Sequence, residues 1–187
     1  MDALYAYIYV LTLAFIAFGV FVLLRTKEAW LESENLPVHV AAYWWVLDAG
    51  WSLLIIISAL RGLWLLPVKP IPAIVCGVTS LVAGLVLTLI GVLEFKSIKR
   101  MSGLDASRLI TSGVYRWSRN PQFLGAYLSF LGISLAGRSG YALLLSAIAI
   151  AYCHYYIVKV EEPHLERVFG EEYRVYKSRV PRYFWRF

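Results

Sequence analysis

A chain of 187 residues that is 60% hydrophobic, with a mean hydropathy of +0.65, is too apolar for a soluble domain, where apolar residues make up roughly 45–50%. The apolar residues come in long, nearly uncharged blocks, which points to an all-α polytopic membrane helix bundle built as one compact domain over residues 1–187. The net charge of +6 would fit nucleic acid in a soluble protein; here it marks loops on one side of a membrane, and no nucleic-acid partner is expected.

The chain begins Met-Asp with no basic segment, so no cleaved signal peptide is expected and the first apolar block reads as a retained helix, Ala3 to Leu24. A polar segment follows, Arg25 to Pro37. The second helix covers Val40 to Leu60 and carries Trp44, Trp45, Asp48 and Trp51; Arg61 to Pro70 is a short connection. The third, Pro72 to Phe95, is rich in small residues. Gly77, Ser80, Ala83, Gly84 and Gly91 include several spaced three to four apart, which lets neighbouring helices approach closely. The polar stretch Lys96 to Asn120 leads to a fourth helix that starts at Pro121, a suitable first-turn residue, and ends near Gly137, short for a span. Arg138, Ser139 and Gly140 turn the chain into a fifth helix, Tyr141 to Val160, so these two form an antiparallel hairpin. From Pro163 to Val180, Leu165, Val168, Phe169, Tyr173 and Tyr176 recur at helical spacing opposite Glu166, Arg167, Glu171, Arg174 and Lys177. That pattern predicts an amphipathic helix at the interface or capping the bundle. The closing Arg182, Tyr183, Phe184, Trp185 and Arg186 have the composition of the headgroup level.

Five spans place fifteen of the eighteen Lys and Arg residues on one side, leaving Arg61, Lys69 and Arg138 on the other. The positive-inside rule then puts the N-terminus outside and the C-terminus in the cytoplasm.

Two polar knots interrupt the apolar pattern: Ser112 to Gly125, and Lys159 to Glu162. Both fall on the cytoplasmic side and are expected to meet. On the last span Tyr152, Tyr155, Tyr156, Lys159 and Glu162 share one face, with His154, Ile157 and Glu161 on the adjacent one. Pro163 cannot donate to the carbonyl of Lys159, so a break or kink is predicted beside the two glutamates. Such a place suits a cationic or hydroxyl-rich ligand; the plainer alternative pairs Glu161 and Glu162 with Lys159 or an arginine. Asp48, the one acidic residue well inside a span, sits about 12 Å deep, and His154 lies at similar depth. Both are expected to line one cavity and to orient or deprotonate an acceptor, the alternative being a carboxylate paired with Trp or Tyr donors. Cys76 and Cys153 lie inside apolar blocks and imply neither a disulfide nor a metal site. His39, His154 and His164 lack ligand spacing, and Gly-rich phosphate cradles and a serine nucleophile elbow are absent.

Gly113-Val-Tyr115-Arg-Trp-Ser-Arg119-Asn-Pro-Gln-Phe-Leu-Gly125 resembles the Gly-x-Tyr-x-x-x-Arg-His-Pro-x-Tyr-x-Gly motif of the isoprenylcysteine carboxyl methyltransferase and phospholipid methyltransferase superfamily. Glu161-Glu162-Pro-His-Leu165-Glu-Arg-Val-Phe169-Gly170-Glu-Glu-Tyr173-Arg-Val-Tyr176 resembles its partner motif, and Val180-Pro181-Arg182 the closing Val-Pro-Arg. The resemblance covers about the C-terminal half, so residues 71–187 are expected to hold the cofactor-binding core and 1–70 the variable helices. It implies S-adenosylmethionine as cofactor, with Arg119, Asn120, Pro121, Gly125, Glu161 and Glu162 in its site and Tyr115 and Arg116 at the rim. The face of Tyr152 or Tyr155 would lie by the sulfonium. Asn120 and Phe123 stand where the family more often has His and Tyr, which bears on the acceptor chemistry. The implied reaction is methyl transfer to a lipophilic acceptor, an isoprenylcysteine-type carboxylate or a phospholipid-type amine, entering from the bilayer, with no obligate protein partner. The rival readings are a membrane reductase resembling sterol reductases and using NADPH, disfavoured by the short chain, and a non-enzymatic scaffold or transporter. The lack of a continuous polar path disfavours transport.

Overall fold

The computed structural model of the chain describes residues 3–184. Among the described residues seven α-helices follow one another: α1 (Ala3–Glu32), α2 (Val38–Leu60), α3 (Pro70–Leu93), the single turn α4 (Ile98–Met101), α5 (Pro121–Ala136), α6 (Gly140–Tyr156) and α7 (Glu162–Arg179). A 3-10 turn, Gly113–Arg116, precedes α5, and a π-helical turn, Ile157–Glu161, joins α6 to α7. The only β-pairing among the described residues is an isolated bridge between Leu65 and Ser139. α1, α2, α3 and the continuous helical run Gly140–Arg179 are long and apolar enough to cross a membrane. α5, at 16 residues, is about 24 Å long and falls short of a full span. The protein is thus an all-α membrane bundle in which α3 and α5 run antiparallel, Gly77 lying on Ala136 and Gly91 on Gln122.

Local chemistry explains the boundaries. Pro70 and Pro121 occupy the first turns of α3 and α5, where the missing N–H costs nothing. Ser139 caps α6, its Oγ accepting from the Ala142 amide at 3.1 Å. The first helix outruns the expected end at Leu24 by two turns and reaches Glu32. Arg25 to Glu32 contains no Gly or Pro. Within it Thr26 and Trp30 are buried, and the Arg167 guanidinium donates to the Trp30 and Ser33 carbonyls where the helix ends.

The α3–α5 contact is the tightest in the bundle. Gly77, Gly84 and Gly91 of α3 are buried against Gln122, Gly125, Ser129, Gly132 and Ala136 of α5. A Cβ on Gly84 would lie 2.5 Å from the Gly125 carbonyl oxygen, and one on Gly77 2.5 Å from the Ala136 amide. The backbones therefore touch, as the small-residue spacing predicts. Ser80 Oγ donates across the interface to the Leu128 carbonyl at 2.9 Å. This contact fixes the start of α5, and with it the first polar knot.

Two expectations for the C-terminal part need correction. Of the break or kink expected beside Pro163, the break does not occur: the helix is distorted there by a wider turn, with the Glu162 amide bonding back five residues to the Ile157 carbonyl. A π turn changes the local register of donors and acceptors, which accommodates a residue without an N–H. The amphipathic helix is not continuous either. Gly170, at φ 52° and ψ −121°, bends α7 and folds both halves, Leu165 and Phe169 before it and Tyr173 and Tyr176 after it, onto Leu109 and Val180. Of the closing headgroup-level residues, Trp185 and Arg186 lie outside the described residues.

Candidate functional site

The two polar knots meet. Gly113 opens the first at φ +55°, and a Cβ there would collide with the Glu94 carboxylate, to which Ser112 Oγ donates at 2.9 Å. The 3-10 turn then swings Tyr115 inward. Its hydroxyl donates to Gln122 Oε1 at 3.3 Å and its carbonyl accepts from the Tyr176 hydroxyl at 2.8 Å. Burial first, then the charge of Glu161, pushes the Tyr115 phenol well above its ordinary pKa, so it stays a neutral hydrogen-bonding group. Next, the segment after α7 crosses over the first knot. The Arg119 amide donates to the Pro181 carbonyl at 3.0 Å. Ser118 Oγ and Asn120 Nδ2 both donate to the Arg182 carbonyl, at 3.2 and 3.1 Å.

Glu162 is the electrostatic centre of this clasp. Its carboxylate takes a two-pronged contact from Arg182, at 2.8 and 2.9 Å, and pairs with Arg119 at 3.0 Å. Lys177 stands 3.8 Å away. The Glu162 hydrogen bond, the largest influence, holds the Arg182 guanidinium above its usual pKa, so that cation is permanent. Arg119 also donates to the Tyr173 hydroxyl at 3.4 Å, yet its buried Nε has no partner. Glu161, one residue from Glu162, makes no hydrogen bond or ion pair among the described residues.

Both groups line a cavity of about 510 Å³ at this end of the bundle. Its mouth is formed by the segment from Arg100 to Ile110 and by Glu34. An ion pair at 3.2 Å between Arg100 and Asp105 braces that segment. Hydrogen bonds from Ser107, then Arg100, hold the Asp105 carboxyl below its usual pKa. Farther in lies an aromatic waist. Tyr156 has its ring centre 4.5 Å from Trp44, 5.9 Å from Trp30 and 6.2 Å from Phe123, and His164 stacks on Trp30 at 4.2 Å. Beyond the waist the lining includes Asp48, Ser52, Phe130 and Cys153. A shallower hollow of about 370 Å³ lies by Glu162, Pro163 and Glu166 and has no aromatic wall.

Of the residues singled out from sequence, Asp48, Tyr115, Arg119, Asn120, Glu161 and Glu162 line the cavity. The others do not. Arg116 is exposed. Pro121 is buried without lining it. Gly125 faces α3, where a Cβ would lie 2.5 Å from the Thr88 amide, so its role is packing. Tyr152 spends its hydroxyl on the Gly19 carbonyl at 3.0 Å, and Tyr155 is 55% exposed on the outside of the bundle. His154 is exposed too, its Nδ1 3.1 Å from the Tyr183 hydroxyl. The shared cavity expected for Asp48 and His154 is therefore corrected: helix rotation turns Cys153 and Tyr156 inward and leaves His154 and Tyr155 outside. The alternative of a carboxylate paired with Trp or Tyr also fails, since Asp48 has no hydrogen-bond partner among the described residues. The plainer reading of the glutamates holds for Glu162, which is locked by cations, and not for Glu161.

Trp30, Trp44, Tyr156 and His164 went unassigned by sequence. Trp30 sits on the two turns of α1 whose composition is that of a polar loop, Trp44 carries no signal beyond its place on the second helix, and Tyr156 none beyond the face it shares with Glu162. Only Tyr173 and Tyr176 carried a signal, as the end of the second motif.

A membrane helix bundle whose paired polar motifs close over a cavity with aromatic walls is the class of protein defined here. The phospholipid methyltransferase family model matches residues 72–172, just over half of the chain, and the chain belongs to that family. It is 31% identical over 88 residues to protein-S-isoprenylcysteine O-methyltransferase of Mus musculus, covering 47% of this chain and 31% of that one. The Xenopus laevis protein of the same name is 30% identical over 90 residues, with the same coverage. Phosphatidylethanolamine N-methyltransferase of Saccharomyces cerevisiae (strain YJM789) is 36% identical over 69 residues, covering 36% of this chain and 8% of that one. The matched stretch thus spans less than a third of each relative's length. No solved structure matches.

Proposed function

We propose that this protein is a membrane methyltransferase that takes its methyl group from S-adenosylmethionine and delivers it to a lipophilic acceptor. The observation that carries the reading is the pair of unpartnered groups in one cavity, the Glu161 carboxylate and the Arg119 Nε, beside the aromatic waist. They match the ends of such a donor. Glu161 would hold the ammonium or the ribose hydroxyls, Arg119 the carboxylate, and Trp44 and Tyr156, in place of Tyr152 and Tyr155, would face the sulfonium. When bound, the donor supplies an electrophilic methyl group on a positively charged sulfur.

The protein's own contribution is orientation and exclusion of water. Glu162 keeps Arg119 and Arg182 in place, so the guanidinium of Arg119 is preset rather than ordered on binding. The aromatic waist and the kinked α7 cover the site, which strengthens the fields of Glu161 and Arg119. Acceptor access is from the bilayer side. The cavity reaches Trp45 of α2 and Leu85 of α3, which are 51% and 55% exposed, with α5 as its floor. With the positive-inside orientation, the donor would enter from the cytoplasm.

Titration of the protein in lipid nanodiscs with S-adenosylmethionine and, separately, with NADPH tests the reading. Donor binding that weakens by about tenfold in Glu161→Gln supports it. Binding of NADPH alone overturns it in favour of a reductase, and binding of neither favours a scaffold.

A further inference from the structure

Besides Glu34 at its mouth, the cavity holds two free carboxylates, one on each side of the aromatic waist. Glu161 follows Tyr156 toward the mouth. Asp48 lies one helical turn beyond Trp44, about 15 Å along α2 from its start at Val38. Both line the cavity and neither has a hydrogen bond or ion pair among the described residues. A carboxylate at membrane depth is costly and rare unless it faces a partner or a wet cavity. The donor reading uses Glu161 and leaves Asp48 unassigned.

The cations of the cavity are not distributed evenly. The lining arginines are Arg100 and Arg108, from the mouth segment, and Arg119, from the first knot. Arg100 is paired with Asp105, and Arg119 with Glu162. In the lining beyond the waist, Asp48 is accompanied by uncharged side chains such as Trp45, Ser52, Phe130 and Cys153. An acceptor carboxylate brought there would meet a like charge in apolar surroundings with no cation to offset it. An ammonium would meet its counter-ion.

We infer that Asp48 is the specificity-determining residue of the acceptor pocket, and that this pocket takes an amphiphile bearing an amine rather than a carboxylate. The assignment deepens the methyltransferase reading and rests on it for the word acceptor. The amine recognition itself rests on Asp48 and the charge distribution alone. Since α2 lies outside residues 72–172, the determinant is supplied by the part of the chain that the family match leaves uncovered.

The test uses the full chain in phosphatidylcholine nanodiscs, with the emission of its tryptophans, Trp44 and Trp45 among them, as the binding signal. Dodecylamine and dodecanoate are the probes, and S-adenosylmethionine binding is measured in parallel. Wild type should bind dodecylamine at least about tenfold more tightly than dodecanoate. Asp48→Glu should keep the preference, and Asp48→Asn should bring the two within about threefold while donor binding is unchanged. Equal affinity or a carboxylate preference in wild type overturns the inference, as does a full amine preference in Asp48→Asn. If Asp48→Asn fails to fold, the wild-type ratio and Asp48→Glu decide. Amine preference without any donor binding would sink the methyltransferase reading and leave this one standing.

Discussion

Arg119 and Glu162 lie 3.0 Å apart with side chains only 8% and 5% exposed, and they join the segment before α5 to the start of α7. A buried pair of this kind owes its value to completeness. Arg182 and Lys177 supply the remaining charge, so Glu162 is surrounded by cations that its removal would leave facing one another.

Glu162→Gln preserves volume and removes the charge. It should destabilise the solubilised protein by about 3 kcal/mol, read as a fall in the thermal midpoint of tryptophan emission. Glu161→Gln, which breaks no pair, should leave that midpoint nearly unchanged. Equal midpoints for both variants would refute the division of labour between the two glutamates.

The α3–α5 contact predicts a graded series. Gly84→Ala puts a methyl 2.5 Å from the Gly125 carbonyl oxygen and should cost about 2–3 kcal/mol. Gly91→Ala, whose Cβ would lie 3.1 Å from the Gln122 amide, should cost under about 1 kcal/mol. Monodispersity in size-exclusion chromatography after a heat step ranks them. The reverse order would show that the backbones do not touch there.

Asn120 holds the Arg182 carbonyl through its side-chain amide at 3.1 Å. Asn120→Ala loses that bond, about 1 kcal/mol, and loosens the segment that carries Arg182. The donor dissociation constant should rise by about fivefold. Asn120→Asp should do more harm, because a carboxylate cannot donate to the carbonyl and its oxygen is also repelled by the carbonyl oxygen.

Gly170 has φ 52°, and nothing lies within 4 Å of where its Cβ would be. Gly170→Ala therefore reports backbone strain without steric conflict, at about 2 kcal/mol. Straightening of α7 should expose the cavity and show as faster trypsin cleavage at Arg174 and Lys177. Unchanged cleavage would mean that α7 tolerates the bend without glycine.

The membrane class, the helix order and the meeting of two polar knots follow from local information. Apolar runs, small-residue spacing and a Pro at a helix start each act through the physics of a single helix or its nearest neighbour. That is why the two polar knots and the close approach of α3 to α5 could be read in advance, while the motifs within the knots were legible through resemblance to a family. What needed the tertiary structure was direction. Tyr155 and Tyr156 are adjacent in sequence, yet one faces outward and the other forms the aromatic waist, because helix rotation is set by packing and hydrophobicity alone does not distinguish them. Glu161 and Glu162 are chemically identical, and only the positions of Arg119 and Arg182 make one a structural node and the other a free group. Trp30 became part of the site because burial and the Arg167 contact extend α1 past a segment whose composition reads as a loop. Composition and periodicity thus determined which side chains sit at this end of the bundle; three-dimensional packing decided which of them face the cavity with a charge to spare.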